Sequence, residues 1–178
     1  MTQSDERAFV PLTIALLTVS DSRSLDTDRS GDVLQEKLTQ AGHRLGARAL
    51  VPDDRDAIVD QVRPWIADAE IPVVLITGGT GITGRDITPE ALDHLIDKPI
   101  PGFGELFRMI SYTIIGTSTI QSRACAGVAG STLIFALPGS PSACRDAWDH
   151  ILKDQLDIRH KPCNFAELLP RLGEQAAP

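Results

Sequence analysis

The sequence predicts an α/β protein, a three-layer fold with an open, mostly parallel sheet and helices on both faces. Apolar, strand-like runs alternate with helical segments along the chain, which is typical of βαβ units. The run Pro72 to Thr77 is uninterrupted, as in a strand that is buried on both faces. The 178 residues are 42% hydrophobic, which suits one compact domain. We therefore expect a single domain over residues 1–178, with its core at about 12–157 and an irregular tail at about 158–178.

The first two β-α units are expected in the N-terminal part of the chain. Leu12 to Val19 is a β-prone apolar run, and Ser30 to Ala41 carries apolar residues at helical spacing. Arg48 to Val51 is a short strand candidate that a proline closes. The helix after it shows its inward face through apolar residues at every fourth position: Ile58, Val62 and Ile66.

The remaining elements follow the strand Pro72 to Thr77. Thr88 is expected to N-cap the next helix, because a proline follows it in the first turn. Gly102 to Ile115 is expected to form another helix, and Thr132 to Leu137 a last central strand. Ser140 is expected to cap the helix that runs from "PSAC" through Ile151.

Charge and hydropathy exclude several classes of protein. No stretch reaches the roughly 18 uncharged apolar residues of a membrane span, and the first ten residues are polar rather than signal-like. We therefore expect a cytoplasmic protein with no membrane partner. Asp and Glu (24) outnumber Lys and Arg (17), and no basic cluster is present, which argues against a nucleic-acid partner.

The cysteines and histidines do not indicate a metal or a disulfide framework. Cys125, Cys144 and Cys163 are an odd number without C-x-x-C spacing. The four histidines show no metal-ligand spacing either. We therefore expect free, buried or incidental thiols and assign the histidines no role.

The most informative segment is the glycine-rich loop "TGGTGITGRDITPEA" after the third strand. Its glycines Gly79, Gly81 and Gly84 satisfy the dinucleotide pattern G-x-G-x-x-G. In that fold the helix opens inside the motif, whereas here Ile87 to Pro89 delay the helix until after the last glycine. The motif also lies in the third β-α unit rather than the first, so a nicotinamide or flavin enzyme is disfavoured.

The same loop resembles a phosphate-binding P-loop with two replacements. Arg85 stands where that motif has lysine, and Asp86 stands where it has the hydroxyl that holds magnesium. A carboxylate beside polyphosphate is repulsive unless a divalent cation lies between them. The loop therefore indicates phosphate together with Mg²⁺, although Asp86 as a simple turn cap remains an alternative.

Other strand ends supply further candidates, because the carboxyl ends of strands in an open α/β sheet meet at the ligand crevice. Asp53 follows the second strand and is a candidate second carboxylate, or else an ordinary N-cap of the next helix beside Asp54. Gly139 and Ser140 offer amide groups suited to a terminal phosphate or a pterin edge, or else they only begin a helix.

Five motifs in one order resemble the MoaB/MogA family of molybdenum cofactor biosynthesis, which is related to the G domain of gephyrin. They are "TVSDSR", "TGGTGITGRDITPEA", "PGFGELFRMIS", "GTSTIQSRACAGVAGSTLIFALPGSPSAC" and "KPCNF". Together they reach from about Leu12 to Phe165, which is almost the whole chain. The segments "GTSTIQSRA" and "PCNF" are more similar to the MoaB branch than to the MogA branch.

The resemblance implies the molybdopterin-binding fold of this family and transfer of AMP from Mg-ATP to the molybdopterin phosphate, with release of pyrophosphate. It implies that Asp86 and Asp53 are the catalytic acids and the Mg²⁺ ligands, and that Arg85 offsets phosphate charge. It further assigns the nucleotide or pterin phosphate to Gly78, Gly79, Thr80 and Gly81, and molybdopterin to Ser122, Pro138, Gly139 and Ser140.

Two further expectations follow from the resemblance. It implies a homotrimer, or a homohexamer of two trimers. The segment Gly102 to Ile115 is where we look for the subunit contact, although its apolar cluster is either core or partly in that contact: Phe103, Leu106, Phe107, Met109 and Ile110. The MoaB branch also leaves a second function open, that of a molybdopterin-binding or scaffold protein without catalysis.

Overall fold

The computed structural model describes residues 7–174, and its strands form one six-stranded sheet in the order β2-β1-β3-β6-β5-β4. Neighbours among β2, β1, β3 and β6 are parallel, whereas β5 and β4 are antiparallel additions at one edge. This confirms the predicted α/β class with a mostly parallel sheet. The strands are β1 Thr13–Val19, β2 Arg44–Val51, β3 Val73–Thr77, β4 Lys98–Pro99, β5 Cys125–Ala129 and β6 Thr132–Leu137.

Helices cover both faces of the sheet. The helices are α1 Arg29–Gln40, α2 Arg55–Ala67, α3 Thr88–Leu92, α4 Pro101–Ile115, α5 Pro141–Ala147, α6 Lys153–Gln155 and α7 Phe165–Leu168. A π-helical turn, Trp148–Leu152, joins α5 to α6. None of the helices within residues 7–174 is long and apolar enough to cross a membrane.

Side chains of the central strands alternate between two cores. Along β1, Ile14 and Leu16 belong to the core that α1, α4 and α5 cover, whereas Ala15 and Leu17 belong to the core under α2 and α3. All four are at most 1% exposed. This alternation is the period of two that a strand buried on both faces requires.

The sheet is larger at its edges than the sequence predicts. Strand β2 begins at Arg44 rather than Arg48. Its first residues were missed because they are exposed at the sheet edge and include a glycine, so they show no continuous apolar run. Strands β4 and β5 were not predicted. Strand β5 consists mainly of alanine and glycine, and β4 contains two residues, one of them proline, so neither has the composition of a strand.

Two local expectations were wrong and one is confirmed. Thr88 is not the N-cap of α3 but its first residue, and its hydroxyl donates to the Gly78 carbonyl at 2.8 Å. The tail expected to be irregular contains α7, and Ala166 in it is buried against the core. Ser140 does cap α5, since its hydroxyl accepts a hydrogen bond from the Ala143 amide.

A buried carboxylate fastens α1 to β1. Asp28 is fully buried and accepts hydrogen bonds from the Thr18 hydroxyl (2.6 Å), the Gly31 amide (2.9 Å) and Arg48 (2.9 Å). Burial opposes ionisation of Asp28, but these hydrogen bonds outweigh it and hold the pKa of the carboxyl below its usual value. Arg48 also pairs with Asp32, whose side chain is 54% exposed.

Replacing Asp28 by Asn should lower the free energy of unfolding by about 3 kcal/mol, because Arg48 loses its buried anionic partner. The matched change Asp32→Asn removes the exposed partner of the same arginine and should cost less than about 1 kcal/mol. Urea denaturation at neutral pH measures both free energies. Equal losses would contradict the conclusion that the buried partner of Arg48 stabilises the fold more than the exposed one.

The same experiment has a pH dependence. Because the pKa of Asp28 is lower in the folded than in the unfolded chain, its contribution is fully present above the unfolded value of about 3.9 and is lost as the pH falls through the folded value. The free energies of unfolding of the wild type and Asp28→Asn should therefore approach each other on acidification.

Candidate functional site

A cavity of about 490 Å³ opens where the carboxyl ends of the parallel strands meet. Its walls are the loops after β1, β2, β3 and β6, together with the last part of α4 and the turns that follow it. This is the edge at which open α/β sheets bind ligands. Every predicted site residue except Arg85 lines it: Asp53, Gly78, Gly79, Thr80, Gly81, Asp86, Ser122, Pro138, Gly139 and Ser140.

Direct contact between main chains forms the floor of the cavity. Gly78 has φ +107°, and a Cβ there would lie 2.1 Å from the Val19 carbonyl oxygen. Its amide donates to the Leu137 carbonyl at 3.0 Å, and a Cβ on Gly139 would lie 3.3 Å from the Gly78 Cα. The ends of β1, β3 and β6 therefore meet at Gly78 with no room for a side chain.

The glycine loop leaves this floor and returns to it at α3. Gly79 has φ +65°, and its carbonyl accepts from the Thr88 amide at 3.0 Å. A Cβ on Gly79 would lie 2.3 Å from the Thr88 hydroxyl and 3.2 Å from Asp53. The side chains of α3 and of the β2 loop thus reach the loop backbone because glycine leaves space for them.

Asp86 both closes the tip of the loop and lines the cavity. Its Oδ2 accepts hydrogen bonds from the Thr83 amide (2.8 Å) and the Thr83 hydroxyl (2.7 Å). Burial opposes ionisation, but these bonds and one from the Gly81 backbone hold the pKa of Asp86 below its usual value. The turn-capping role and a ligand role are therefore not exclusive for this residue.

The structure distinguishes Asp53 from its neighbour. Asp54 is the N-cap of α2 and accepts from the Ala57 amide at 2.9 Å, whereas Asp53 lines the cavity. Burial, and then the negative charges of Asp21 and Asp86, raise the pKa of the Asp53 carboxyl against an opposing hydrogen bond from the Asp21 amide. The N-cap alternative for Asp53 is therefore wrong.

Asp21, in the loop after β1, connects three of the cavity loops. Asp21 and Asp53 each donate an amide hydrogen bond to the carboxylate of the other, both at 3.0 Å. The Asp21 carboxylate also accepts hydrogen bonds from Nε and Nη2 of Arg85, both at 2.9 Å. The side-chain hydrogen bond from Arg85 holds the pKa of Asp21 below its usual value. Arg85 therefore contacts Asp21 and does not line the cavity, and its expected contact with phosphate stays a prediction.

Several lining residues were missed at the sequence level. Arg23 donates to the Gly139 carbonyl and to the Ser30 hydroxyl, both at 2.8 Å, and so ties the loop after β1 to the loop after β6. The motif "TVSDSR", at the end of the first strand, was a signal for this group. The other missed residues with polar side chains are Ser20, Ser22, Ser111, Ser118, Thr119 and Gln121.

The carboxylates at the cavity fit magnesium only together with a phosphate ligand. Within the described residues, no three His, Cys, Asp or Glu side chains converge as a metal site. Asp53 and Asp86 both line the cavity and interact electrostatically. Mg²⁺ is usually held by one or two carboxylates, with waters and substrate phosphates as the remaining ligands. The residues present therefore match a magnesium ion that arrives with a phosphate compound.

The cysteines offer no thiolate nucleophile to the cavity. All three are free thiols, and Cys144 lies buried beside the Thr77 hydroxyl at 3.2 Å. Burial raises the pKa of Cys125 and of Cys144 to about 11, so both stay neutral near pH 7. Cys163 is exposed and lies outside the cavity lining.

Comparisons with known sequences and with solved structures both find similarity to proteins of molybdenum cofactor biosynthesis. Residues 15–158 match the family described as a probable molybdopterin binding domain. The molybdenum cofactor biosynthesis protein B of Escherichia coli (strain K12) is 55% identical over 157 residues, which cover 88% of this chain and 92% of that protein.

Two solved structures extend the comparison to the fold. A crystal structure of a molybdenum cofactor biosynthesis protein B has a TM-score of 0.85 at 39% identity, and the match covers 95% of this chain and 100% of that chain. The molybdopterin biosynthesis Mog protein of Mycobacterium ulcerans has a TM-score of 0.76 at 29% identity, covering 93% and 100%. Both matches run through nearly the whole chain.

Substitution of Gly78 by alanine should lower the free energy of unfolding by more than about 2 kcal/mol, because the new Cβ meets a main-chain carbonyl at a left-handed φ. Gly84→Ala is the matched control in the same loop, since a Cβ there meets nothing within 4 Å. Thermal and urea unfolding measure the difference, and similar stability of the two variants would contradict the close packing at the floor.

Proposed function

The chain belongs to the MoaB family of molybdenum cofactor biosynthesis proteins, and from this premise we propose that it is a molybdopterin adenylyltransferase. One observation carries the proposal: two carboxylates, Asp53 and Asp86, line the same cavity as a glycine-rich loop at the ligand-binding edge of the sheet. This combination suits a phosphate compound that is accompanied by a divalent cation.

In the proposed reaction, an oxygen of the molybdopterin phosphate attacks the α-phosphorus of ATP. A new P–O bond forms between the attacking oxygen and the α-phosphorus, as the bond between the α-phosphorus and the bridging oxygen to the β-phosphate breaks. That oxygen leaves with pyrophosphate, and adenylyl-molybdopterin is the other product. Such transfers ask the protein mainly to align the reacting groups and to balance charge.

Each part of the cavity has a role in this proposal. Asp53 and Asp86 would hold Mg²⁺, which supplies neutralisation of phosphate charge. The main-chain amides of Gly79 and Thr80 would bind the phosphates beside the lining glycines Gly78 and Gly81, because glycine lets a ligand approach the backbone closely. Molybdopterin would contact Ser122, Pro138, Gly139 and Ser140, which line the same cavity.

The dimensions of the cavity and its polar lining support a small-molecule substrate. Its volume of about 490 Å³ falls within the usual range of about 300–1,000 Å³ for ligand pockets. Phe107 and Ile115 give it an apolar wall beside serine and glutamine side chains. An apolar face next to hydrogen-bonding groups suits a flat heterocycle that carries a phosphate.

A second candidate function is binding of molybdopterin without catalysis. The contact between Arg85 and Asp21 favours it, because the arginine expected to offset phosphate charge is held by a protein carboxylate. Among the solved structures, the identity of 39% to a protein B, against 29% to a Mog protein, points in the same direction. Binding without turnover would then be the whole function of the cavity.

Purified protein with Mg-ATP and molybdopterin should release pyrophosphate, and Asp86→Ala should reduce this release at least about 100-fold while molybdopterin still binds. A coupled pyrophosphate assay and a fluorescence binding titration measure the two quantities. Asp60→Ala, which removes an exposed carboxylate on α2, serves as the control and should leave both unchanged.

The possible outcomes separate the two functions. Unchanged release in Asp86→Ala would remove the catalytic assignment of that residue. Molybdopterin binding by the wild type without any release would establish the non-catalytic function instead.

We also propose that α4 forms the contact between copies in a homotrimer or a homohexamer. Its residues Met109, Tyr112 and Ile114 are 63%, 58% and 53% exposed in the single chain. Adjacent apolar side chains with this exposure are typical of protein–protein contacts. The same segment, Gly102 to Ile115, carries the apolar cluster that the sequence offered as core or as part of a subunit contact.

Replacing both Met109 and Ile114 by glutamate should therefore convert the assembly to single chains, because charged groups in an apolar contact are costly to desolvate. Size-exclusion chromatography with light scattering gives the mass. Leu168→Glu, at an exposed apolar position on α7, is the matched control and should keep the assembly. A wild type that already migrates as one chain would overturn the proposed contact.

A further inference from the structure

The tip of the glycine loop, Gly81 to Asp86, is closed from within mainly by hydrogen bonds between Thr83 and Asp86. Within it, the Asp86 amide donates to the Thr83 carbonyl at 3.0 Å, and the Asp86 carboxylate accepts from Thr83. A Cβ on Gly81 would lie 2.7 Å from the Asp86 Oδ2, so the carboxylate rests against bare backbone. Glycine residues around this contact leave the free chain many alternative conformations.

Arg123, just before β5, holds this tip from outside at several main-chain carbonyls. Its amide donates to the Thr80 carbonyl at 2.8 Å. Its Nε donates to the Gly81 carbonyl at 2.6 Å, and its Nη2 donates to the Asp86 carbonyl at 2.7 Å. Arg123 therefore bonds to carbonyls at both ends of the tip: Thr80 and Gly81 at its start and Asp86 at its end.

Arg123 is itself held by the helix that ends the loop. Its Nη1 donates to the Glu90 carboxylate in the first turn of α3. The guanidinium is about one-third exposed, so its hydrogen bonds compete with water less than those of a free surface arginine. Glu90, Arg123 and the loop carbonyls thus form one charge-assisted network outside the cavity.

Only the planar fork of an arginine can make these contacts together. A guanidinium directs its donors in fixed directions within one plane, whereas a lysine ammonium is a single point on a flexible stem. Arg123 uses Nε, Nη1 and Nη2 for different acceptors. A lysine would keep the charge and lose this geometry.

We propose that Arg123 is the positioning residue of the glycine loop. By bonding to carbonyls on both sides of the tip, it keeps Asp86 and the loop amides directed into the cavity, although its own side chain does not line that cavity. The inference rests on the proposed function for what the loop is positioned to bind. The hydrogen bonds from Arg123 to the loop are present in the ligand-free protein, so their effect on the loop can be tested without turnover.

The first test is amide hydrogen exchange, followed by NMR in the ligand-free protein. In Arg123→Gln, the amides of Thr83, Asp86 and Thr88 should exchange about tenfold or more faster, because charge-assisted hydrogen bonds to the loop are lost. Amides in β3 should keep their wild-type protection, which shows that the variant is folded.

Three further variants test the geometry of the Arg123 side chain, its carboxylate anchor and an unrelated arginine. Arg123→Lys should exchange nearly as fast as Arg123→Gln, since it retains only the charge. Glu90→Gln, which leaves Arg123 in place without its carboxylate anchor, should give an intermediate rate. Arg171→Gln removes an exposed, ion-paired arginine of the C-terminal tail and should match the wild type.

The second test is the affinity for Mg-ATP, measured by calorimetry on the same variants. Arg123→Gln and Arg123→Lys should both bind about tenfold more weakly, and in a protein that turns over they should raise KM for Mg-ATP as well as lower kcat. Unaltered loop exchange in Arg123→Gln, or full recovery of exchange and affinity in Arg123→Lys, would overturn the proposal. A wild type that releases no pyrophosphate contradicts the adenylyltransferase alone, because the exchange rates still decide the role of Arg123.

Discussion

The close approach of main chains at Gly78 is the constraint on which the cavity depends. The ends of β1, β3 and β6 meet there, with the Val19 carbonyl on one side and Gly139 on the other. A side chain at this point would push the strand ends apart, together with the loops that they carry. Because the loops after β1, β3 and β6 begin at these strand ends, the candidate ligand groups on those loops depend on this contact for their position.

Arginines near the cavity stabilise loops, and a protein acceptor is in contact with each of them. Arg23 bonds to the Gly139 carbonyl, Arg85 to Asp21, and Arg123 to carbonyls of the glycine loop. In the proposed function, a chain of net charge −7 would attract a phosphate compound mainly through main-chain amides and through a cation held by carboxylates. Asp53 and Asp86 are the groups at the cavity that suit such a cation.

Much of the fold and of the site could be read from the sequence because the signals were local. The apolar strands, the caps such as Ser140, and the glycine loop each follow from the chemistry of adjacent residues. The rule that strand ends converge then brought Asp53 and Asp86 to one place. Strand β5 had no such signal, because small residues form a strand there only through pairing with β6.

The sequence by itself determined the fold class, the family and three of the loops that meet at the cavity, those after β2, β3 and β6. The tertiary structure alone decided how the charged groups in those loops pair. It assigned Asp54 to the N-cap and Asp53 to the cavity, brought Asp21 to Arg85, and placed Arg123 behind the glycine loop. Asp21 and Arg85 lie 64 residues apart, and Arg123 and Gly81 lie 42 apart, so no local pattern encodes these two contacts. Hydrogen bonds between loops depend on where the folded sheet places the loops, and that is a property of the packed chain.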